Sequence, residues 1–531
     1  MTKTHLTSFP TRKLVLAAGL LAAVVGCSRE KSEEPQRRPF EGVSLRVVVP
    51  RGLDLATRWQ LLLDEWCEWT GAEVAVTELP MQLGQIPNSP EAKQALSEAN
   101  LVVFPLPDFS DYVEAGLVAP FPESQLSSNV LDWNDLLRGV RLAAGSVEQQ
   151  AAALPISCPT LIGYYRADLL RKAGGHPPST WDDYHRLVKD LDDWAPGHVA
   201  VEPWGEPFRA TLFLARAVAY AQHPANYSLY FDIFSNKPLI DRPAFVRALE
   251  RSLATVKLMP KDVLHYTPED CRRAILSGRA AIALTFETSS NGKPLVFSRF
   301  DKAGSKDEHK TQVETGPPER PSDSIFAGSD DPAPPGAAQV RRPEGMQIGF
   351  FQLPGTAEVY NNSIEKWEPP PERALNRCVL AAFGGLCASV PPSESGAVRE
   401  AACHLLAVLC RERLLEAFPE TARTVCRESQ IAAAENWVGR ELTAEERMQY
   451  VAVTAESYRN TPVVAELPFA GAPRFRAALT AGLGEALSGQ KTPADALKAV
   501  AEQWQQIASQ IGLDRVRDSY RRRLGLHARA Q

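Results

Sequence analysis

Leu154-Pro155-Ile156, Gly163-Tyr164-Tyr165-Arg166-Ala167-Asp168-Leu169-Leu170 and Pro178-Ser179-Thr180-Trp181-Asp182-Asp183 form the stretch on which the fold turns. An α/β region starts near Leu154. Thr180 with Asp183 three residues on is a capping-box signature, so a helix starts there. Leu187, Val188 and Leu191 continue it. Upstream, residues 45–49 are a β-branched run, read as a buried strand. Leu55, Trp59, Leu62, Leu63 and Trp66 follow at helical spacing, and Gly71 supplies a stop. Residues 74–76 read as a second strand, 90–99 as a short helix and 101–104 as a third strand. Strands alternating with helices imply a parallel sheet covered on both faces. In such sheets ligands bind beyond the carboxyl ends of the strands, and Phe104 and Asp108 stand at one.

Downstream, Phe245, Leu249, Leu253 and Val256 make another apolar stripe, and residues 280–286 read as a strand. Residues 289–345 are rich in Pro, Gly, Ser, Asp and Lys with little apolar content. They read as an exposed, partly disordered insertion. Order returns at 346–353. Phe383-Gly384-Gly385-Leu386 opens a third compact stretch, followed by a helix over 398–413. Leu497, Val500, Trp504, Ile507 and Ile511 step by three and four and form one apolar helix face. The chain carries no internal repeat.

The amino terminus has its own logic. Lys3, Arg12 and Lys13 precede an uncharged apolar run over 14–25. At about a dozen residues it is too short for a bilayer, which needs roughly 20, and it fits the h-region of a signal peptide. The run ends in Val24-Val25-Gly26-Cys27, which resembles the bacterial lipobox. That resemblance implies cleavage after residue 26 and diacylation of the Cys27 thiol, with membrane anchoring through its acyl chains. The alternative is an ordinary cleaved signal with an incidental cysteine. Residues 27–40 are charged, proline-bearing and without apolar period, and read as a tether.

Roughly 490 residues remain, enough for two or three domains with substantial cores. Apolar content is 44%, charged content 23% and net charge −6. This is ordinary for a globular protein, and nothing supplies the basic face that nucleic acid would need. Nine cysteines are present. Apart from Cys27 they are Cys67, Cys158, Cys271, Cys378, Cys387, Cys403, Cys410 and Cys426. Their spacings fix no pairing, and no C-x-x-C pair suggests zinc or redox chemistry. Several sit in apolar helical stretches where free thiols are common. The expectation is mostly free cysteines, with one or two disulfides open among residues 378–426.

In combination these pieces resemble the family 1 extracellular solute-binding proteins of ABC importers, of which the periplasmic maltose-binding protein is a member. Residues 100–104 and 111–118, the latter holding Ala115-Gly116-Leu117, resemble the family's first lobe. The stretch from Leu154 to Asp183 is the most specific match. Residues 275–284, then Ile348-Gly349-Phe350-Phe351-Gln352-Leu353-Pro354-Gly355, then Gly384-Gly385, then 486–504 follow in the family's order. The resemblance implies an α/β, two-lobed, periplasmic-binding-protein-like (type 2) fold with an interlobe cleft and discontinuous lobes. Crossovers are then expected near 156–160, Leu353 and Arg411. Lobe 1 becomes residues 41–156 plus 354–411, and lobe 2 residues 157–353 plus 412–525, with the insertion at 289–345 inside it. Hinges of this kind let lobes close around a ligand.

The implied function is extracytoplasmic, periplasmic capture of a small molecule, a carbohydrate first, for ABC permease subunits, by a monomer anchored to the membrane. A sugar offers hydroxyls and apolar C–H faces, so its site needs aromatic platforms beside polar groups in a cleft. By position, Phe104 and Trp204 fall where relatives have stacking aromatics, and Glu287 where they have a polar or aromatic ligand group. Gly384 and Gly385 would admit ligand close to the backbone. Asp108, Ser157 and Thr160 complete the polar set. Each has a bland reading: Phe104 as core, Asp108 as a helix cap, Glu287 as a solvated strand end, the glycines as a turn. The chain departs from relatives in lacking a Trp after the glycine pair and in having Ala217-Val218-Ala219-Tyr220 where glycines are expected.

No P-loop, H-E-x-x-H or G-x-S-x-G is present, and no acid–base pair is nominated. The reading therefore includes no catalytic residue, metal or cofactor. The competing function is a binding lipoprotein of the same fold that serves a sensor or surface complex and not an importer.

Overall fold

The structure is a computed structural model. It describes residues 38–53, 55–81, 86–127, 131–144, 146–147, 150–287, 342–371, 374–381, 385–392, 396–410 and 424–526. Nine strands make the two principal sheets: β1 (Ser44–Pro50), β2 (Glu73–Leu79), β3 (Leu101–Pro105), β4 (Leu154–Ser157), β5 (Ile162–Arg166), β6 (Val199–Val201), β7 (Ala280–Thr285), β8 (Ile348–Gln352) and β9 (Leu386–Ser389). The helices used below are α1 (Leu55–Thr70), α2 (Pro90–Ser97), α3 (Phe109–Glu114), α4 (Trp181–Lys189), α5 (Glu206–Ala221), α6 (Pro243–Val256), α7 (Pro268–Leu276), α8 (Gly396–Leu409), α9 (Ala444–Arg459), α10 (Ala472–Leu487), α11 (Pro493–Ile511) and α12 (Leu513–Arg523).

The first sheet has strand order β2-β1-β3-β9-β4. β1 runs parallel to both β2 and β3, with Leu45 opposite Val74 and Val47 opposite Leu101. β9 enters antiparallel between β3 and β4. The second sheet has order β8-β5-β7-β6, antiparallel except for β6 beside β7. An all-parallel sheet, as the helix–strand alternation suggested, is therefore corrected to two mixed sheets. The physical cause is that β9 arrives from the other lobe and not through a crossover helix on its own sheet, so it is free to run against its neighbours.

Local chemistry explains the elements. Leu55, Trp59, Leu63 and Trp66 of α1 are all buried, one stripe of an amphipathic helix against the first sheet. The capping box is real: Thr180 Oγ1 accepts from the Asp183 amide at 3.0 Å, and the Thr180 amide donates to Asp183 Oδ2 at 3.1 Å. Every residue of β3, β4 and β7 is buried, as expected of strands covered on both faces. At Gly163 an added Cβ would lie 1.9 Å from Phe351 Cζ, so only glycine lets that ring lie across β5.

The chain passes between the sheets at 158–161, from β4 to β5, and again between β8 and β9. A third passage links α8, packed on β1, to α9, packed on β8. The passages are tied together. The Cys158 amide donates to Thr424 Oγ1 at 3.0 Å, and Tyr458 Oη donates to the Cys158 carbonyl at 2.6 Å. Two-lobed architecture follows directly from this layout. The Cys67, Cys158, Cys271, Cys378, Cys387, Cys403, Cys410 and Cys426 thiols are all free, so no disulfide forms among residues 378–426. All but Cys67 are buried.

Candidate functional site

Phe104 and Asp108, Trp204, and Glu287 stand at or just past the carboxyl ends of β3, β6 and β7 respectively. On the first-lobe side, Phe104 is the penultimate residue of β3. It is fully buried and stacks on Tyr112, with ring centroids 4.1 Å apart and planes 8° from parallel. A short 3-10 turn carries the chain to Asp108, which is 2% exposed. Asp108 stands at the N-cap of α3 yet makes no side-chain cap bond there, so the capping role is not the one it fills. Ser157 ends β4, and its Oγ accepts from the Leu386 amide at 3.1 Å. Gly385 brings its carbonyl to the Leu106 amide at 2.8 Å. A Cβ at Gly385 would sit 2.1 Å from the Ser157 carbonyl, so its close approach is to backbone. Thr160, in the first passage, donates from Oγ1 to the Leu380 carbonyl at 3.3 Å. Phe104, Asp108, Ser157, Thr160 and Gly385 are thus one neighbourhood. Gly384 lies outside the described residues, as do Cys27 and nearly all of the insertion.

On the second-lobe side, Trp204 and Glu287 follow β6 and β7, adjacent parallel strands in which Val201 faces Ala283. Trp204 is fully buried, and its indole Nε1 donates to Glu202 Oε2 at 2.8 Å. The other oxygen of Glu202 accepts from Arg216 Nη2 at 2.7 Å. Arg216 comes from the middle of α5 and lies over the Trp181 ring, 4.3 Å from its centroid. Glu287 is 1% exposed and accepts from Arg272 twice, at 2.6 and 3.2 Å, and from the Gly439 amide at 3.0 Å. Glu287 and Glu441 draw the Arg272 guanidinium up against the opposing effect of burial. Glu287 is therefore not a solvated strand end but one half of an internal ion pair.

A third group joins the lobes. Glu466 accepts from Arg476 Nε at 2.6 Å and from Thr211 Oγ1 at 2.9 Å. Asp111 of α3 accepts from the Gly471 amide at 2.8 Å, at the head of α10. Burial pushes the Asp111 carboxyl up, and the Gly471 amide, Arg515 and Arg476 oppose it. Sequence reading did not single out Glu202, Arg216, Glu466 or Arg476. One signal was present: an arginine inside the apolar run Leu212-Phe213-Leu214-Ala215-Arg216-Ala217-Val218 must find a buried acid. Among the described residues, no group of three or more His, Cys, Asp and Glu is placed to hold a metal ion. No described helix is long and apolar enough to cross a membrane.

Residues 94–329 match the family model of the bacterial extracellular solute-binding proteins. The fold agrees with solved relatives. The sugar-binding protein MalE of Xanthomonas citri superposes with a TM-score of 0.59 at 15% identity, over 88% of this chain and 98% of that one. The cyclic α-maltosyl-1,6-maltose binding protein of Arthrobacter globiformis gives 0.55 at 13%, over 88% and 99%. An ABC transporter solute-binding protein of Agrobacterium radiobacter K84, in complex with ribitol, gives 0.55 at 16%, over 88% and 100%. No curated protein matches the sequence. At these identities the structural likeness speaks for the two-lobed fold.

Proposed function

We propose that this chain captures a carbohydrate or polyol between its lobes and hands it to an ABC import permease. The observation that carries the reading is a pair of mixed sheets joined by crossing segments, with candidate residues following the carboxyl ends of β3, β6 and β7, where ligands of open α/β sheets bind. Solved proteins of the same fold hold maltose, ribitol and mannitol. In this reading the ligand lies among Phe104, Asp108, Ser157, Thr160, Trp204, Glu287, Gly384 and Gly385, with Trp204 as the stacking platform. The protein acts by binding and not by catalysis. It works outside the cytoplasm as a monomer, held to the membrane by acyl chains on Cys27, with the lobes divided at 156/157, at 411/412 and, since Thr356 and Asn376 both donate to the Ala219 carbonyl of α5, not at 353/354 but in the stretch just before β9.

The test is a thermal-shift screen of residues 40–531 against sugars, polyols, amino acids and polyamines. A ligand at 100 times its Kd adds about 2.7 kcal/mol, and Trp204→Ala should remove the shift. A hit confined to amino acids or polyamines refutes the carbohydrate reading. For the anchor, mass spectrometry of the mature amino terminus should find a diacylglyceryl adduct on Cys27, and Cys27→Ser should release the protein from membranes.

A further inference from the structure

α12 is gripped from two sides by different lobes. Toward the second lobe, Tyr520 Oη accepts from the Leu229 and Tyr230 amides at 2.9 and 3.2 Å, in the segment that follows α5. Ser519 Oγ accepts from the Ala470 amide at 2.9 Å, just before α10. Toward the first lobe, Arg522 Nη2 pairs with Glu114 Oε1 of α3, and Arg515 Nε lies 3.6 Å from Glu114 Oε2. Arg523 Nη1 donates to the Ser146 carbonyl in the hairpin before β4. Its Cζ lies 4.4 Å from the centroid of the Phe109 ring, the residue after Asp108.

The geometry of this double attachment is specific. Gly512, at φ 109°, lets the chain turn from α11 into α12, so the short helix leaves the second lobe's own stack and reaches α3. Glu114 is held between two arginines while only 15% exposed, and Arg523 is partly buried, which draws its guanidinium down to about 10. Charges sheltered in this way are kept in place by what they touch. The lobes cannot separate at α3 without breaking these contacts together.

We infer that α12 is an interlobe strap. Its arginines fasten α3 of the first lobe to the second and so govern how readily the cleft opens, whatever the ligand. Hydrogen–deuterium exchange by mass spectrometry on the full-length chain, without ligand, tests this. Arg522→Glu and Glu114→Arg each turn the pair into a repulsion. Each alone should speed exchange at 106–115 and 470–476 roughly tenfold, the factor that corresponds to about 1.4 kcal/mol, with β1 and β7 unchanged. The double variant restores the pair with its charges exchanged and should return both segments to the wild-type rate. Faster exchange confined to 513–523 would overturn the strap, because α12 would then fray without freeing the lobes. Failure of the double variant to restore 106–115 would overturn it equally.

Discussion

Arg216→Met removes a charge from the most enclosed ion pair among the described residues. The Arg216 and Glu202 side chains are 2% and 0% exposed. Two effects oppose each other. Arg216 carries its own cost, since among the described residues no acceptor meets its Nε or Nη1. Against that, its loss leaves Glu202 as a dry carboxylate that still accepts from the Trp204 indole. Stranding one partner of a buried pair costs about 3–5 kcal/mol. The lost cation–π contact with Trp181 adds up to about 2 kcal/mol when desolvated, while relief of two unmet donors returns about 1–3 kcal/mol each. Taken at mid-range these terms leave a net loss of about 2 kcal/mol. Urea unfolding followed by far-UV circular dichroism measures it. Glu202→Gln with Arg216→Met removes both charges and should recover most of the loss, since replacing a whole buried pair is often neutral. A single variant costing less than about 1 kcal/mol would refute this reasoning, because that is the range of a solvent-exposed pair. A double variant no better than the single would refute it too.

Other expectations follow from particular contacts. Gly163→Val puts its Cβ inside the Phe351 ring and should destabilise by about 1–3 kcal/mol or more; adding Phe351→Ala should return part of the loss in the same unfolding assay. Glu446 is held below the usual carboxylate range: burial would raise it, but hydrogen bonds from Arg342 and from the Ile348 and Thr443 amides prevail. Its folded value is lower than its unfolded one, near 4.3, so its stabilisation is complete above that pH and fades as pH falls through the folded value. Unfolding free energies from pH 6 to 3 should fall less steeply in Glu446→Gln. Burial pushes the Cys403 and Cys426 thiols up to about 11 and Cys410 to about 12, so Ellman's reagent should reach these three only after denaturation, with half-buried Cys67 reacting first.

The elements that were legible were those whose signal is local. The capping box at Thr180, the stripe of α1 and the β-branched run of β1 report on spacing alone, and spacing survives folding. What could not be read was which buried polar group meets which. Trp204 was read as a loop residue facing ligand, but nothing in its spacing showed that its indole donates to Glu202, two residues earlier, on a carboxylate that Arg216 from the next helix also holds. Glu287 was visible as the residue after a strand, but its partner Arg272 lies on the preceding helix α7 and Gly439 lies 152 positions away. Charges of this kind pair across the fold, and one sequence carries no record of such distances. The antiparallel entry of β9 was hidden for the same reason: direction is set by where the chain comes from, not by the four residues of the strand.

That entry has a consequence for how the chain matures. β3 and β4 do not touch; β9 stands between them and supplies the hydrogen bonds of both. About 230 residues separate Ser157 from Leu386, a span that ribosomes need on the order of 10–50 s to complete. Through that interval the first sheet has two raw edges and no wedge, and its loop-closure entropy remains unmatched by contacts. A chain built this way cannot close its first sheet until β9 has been synthesised.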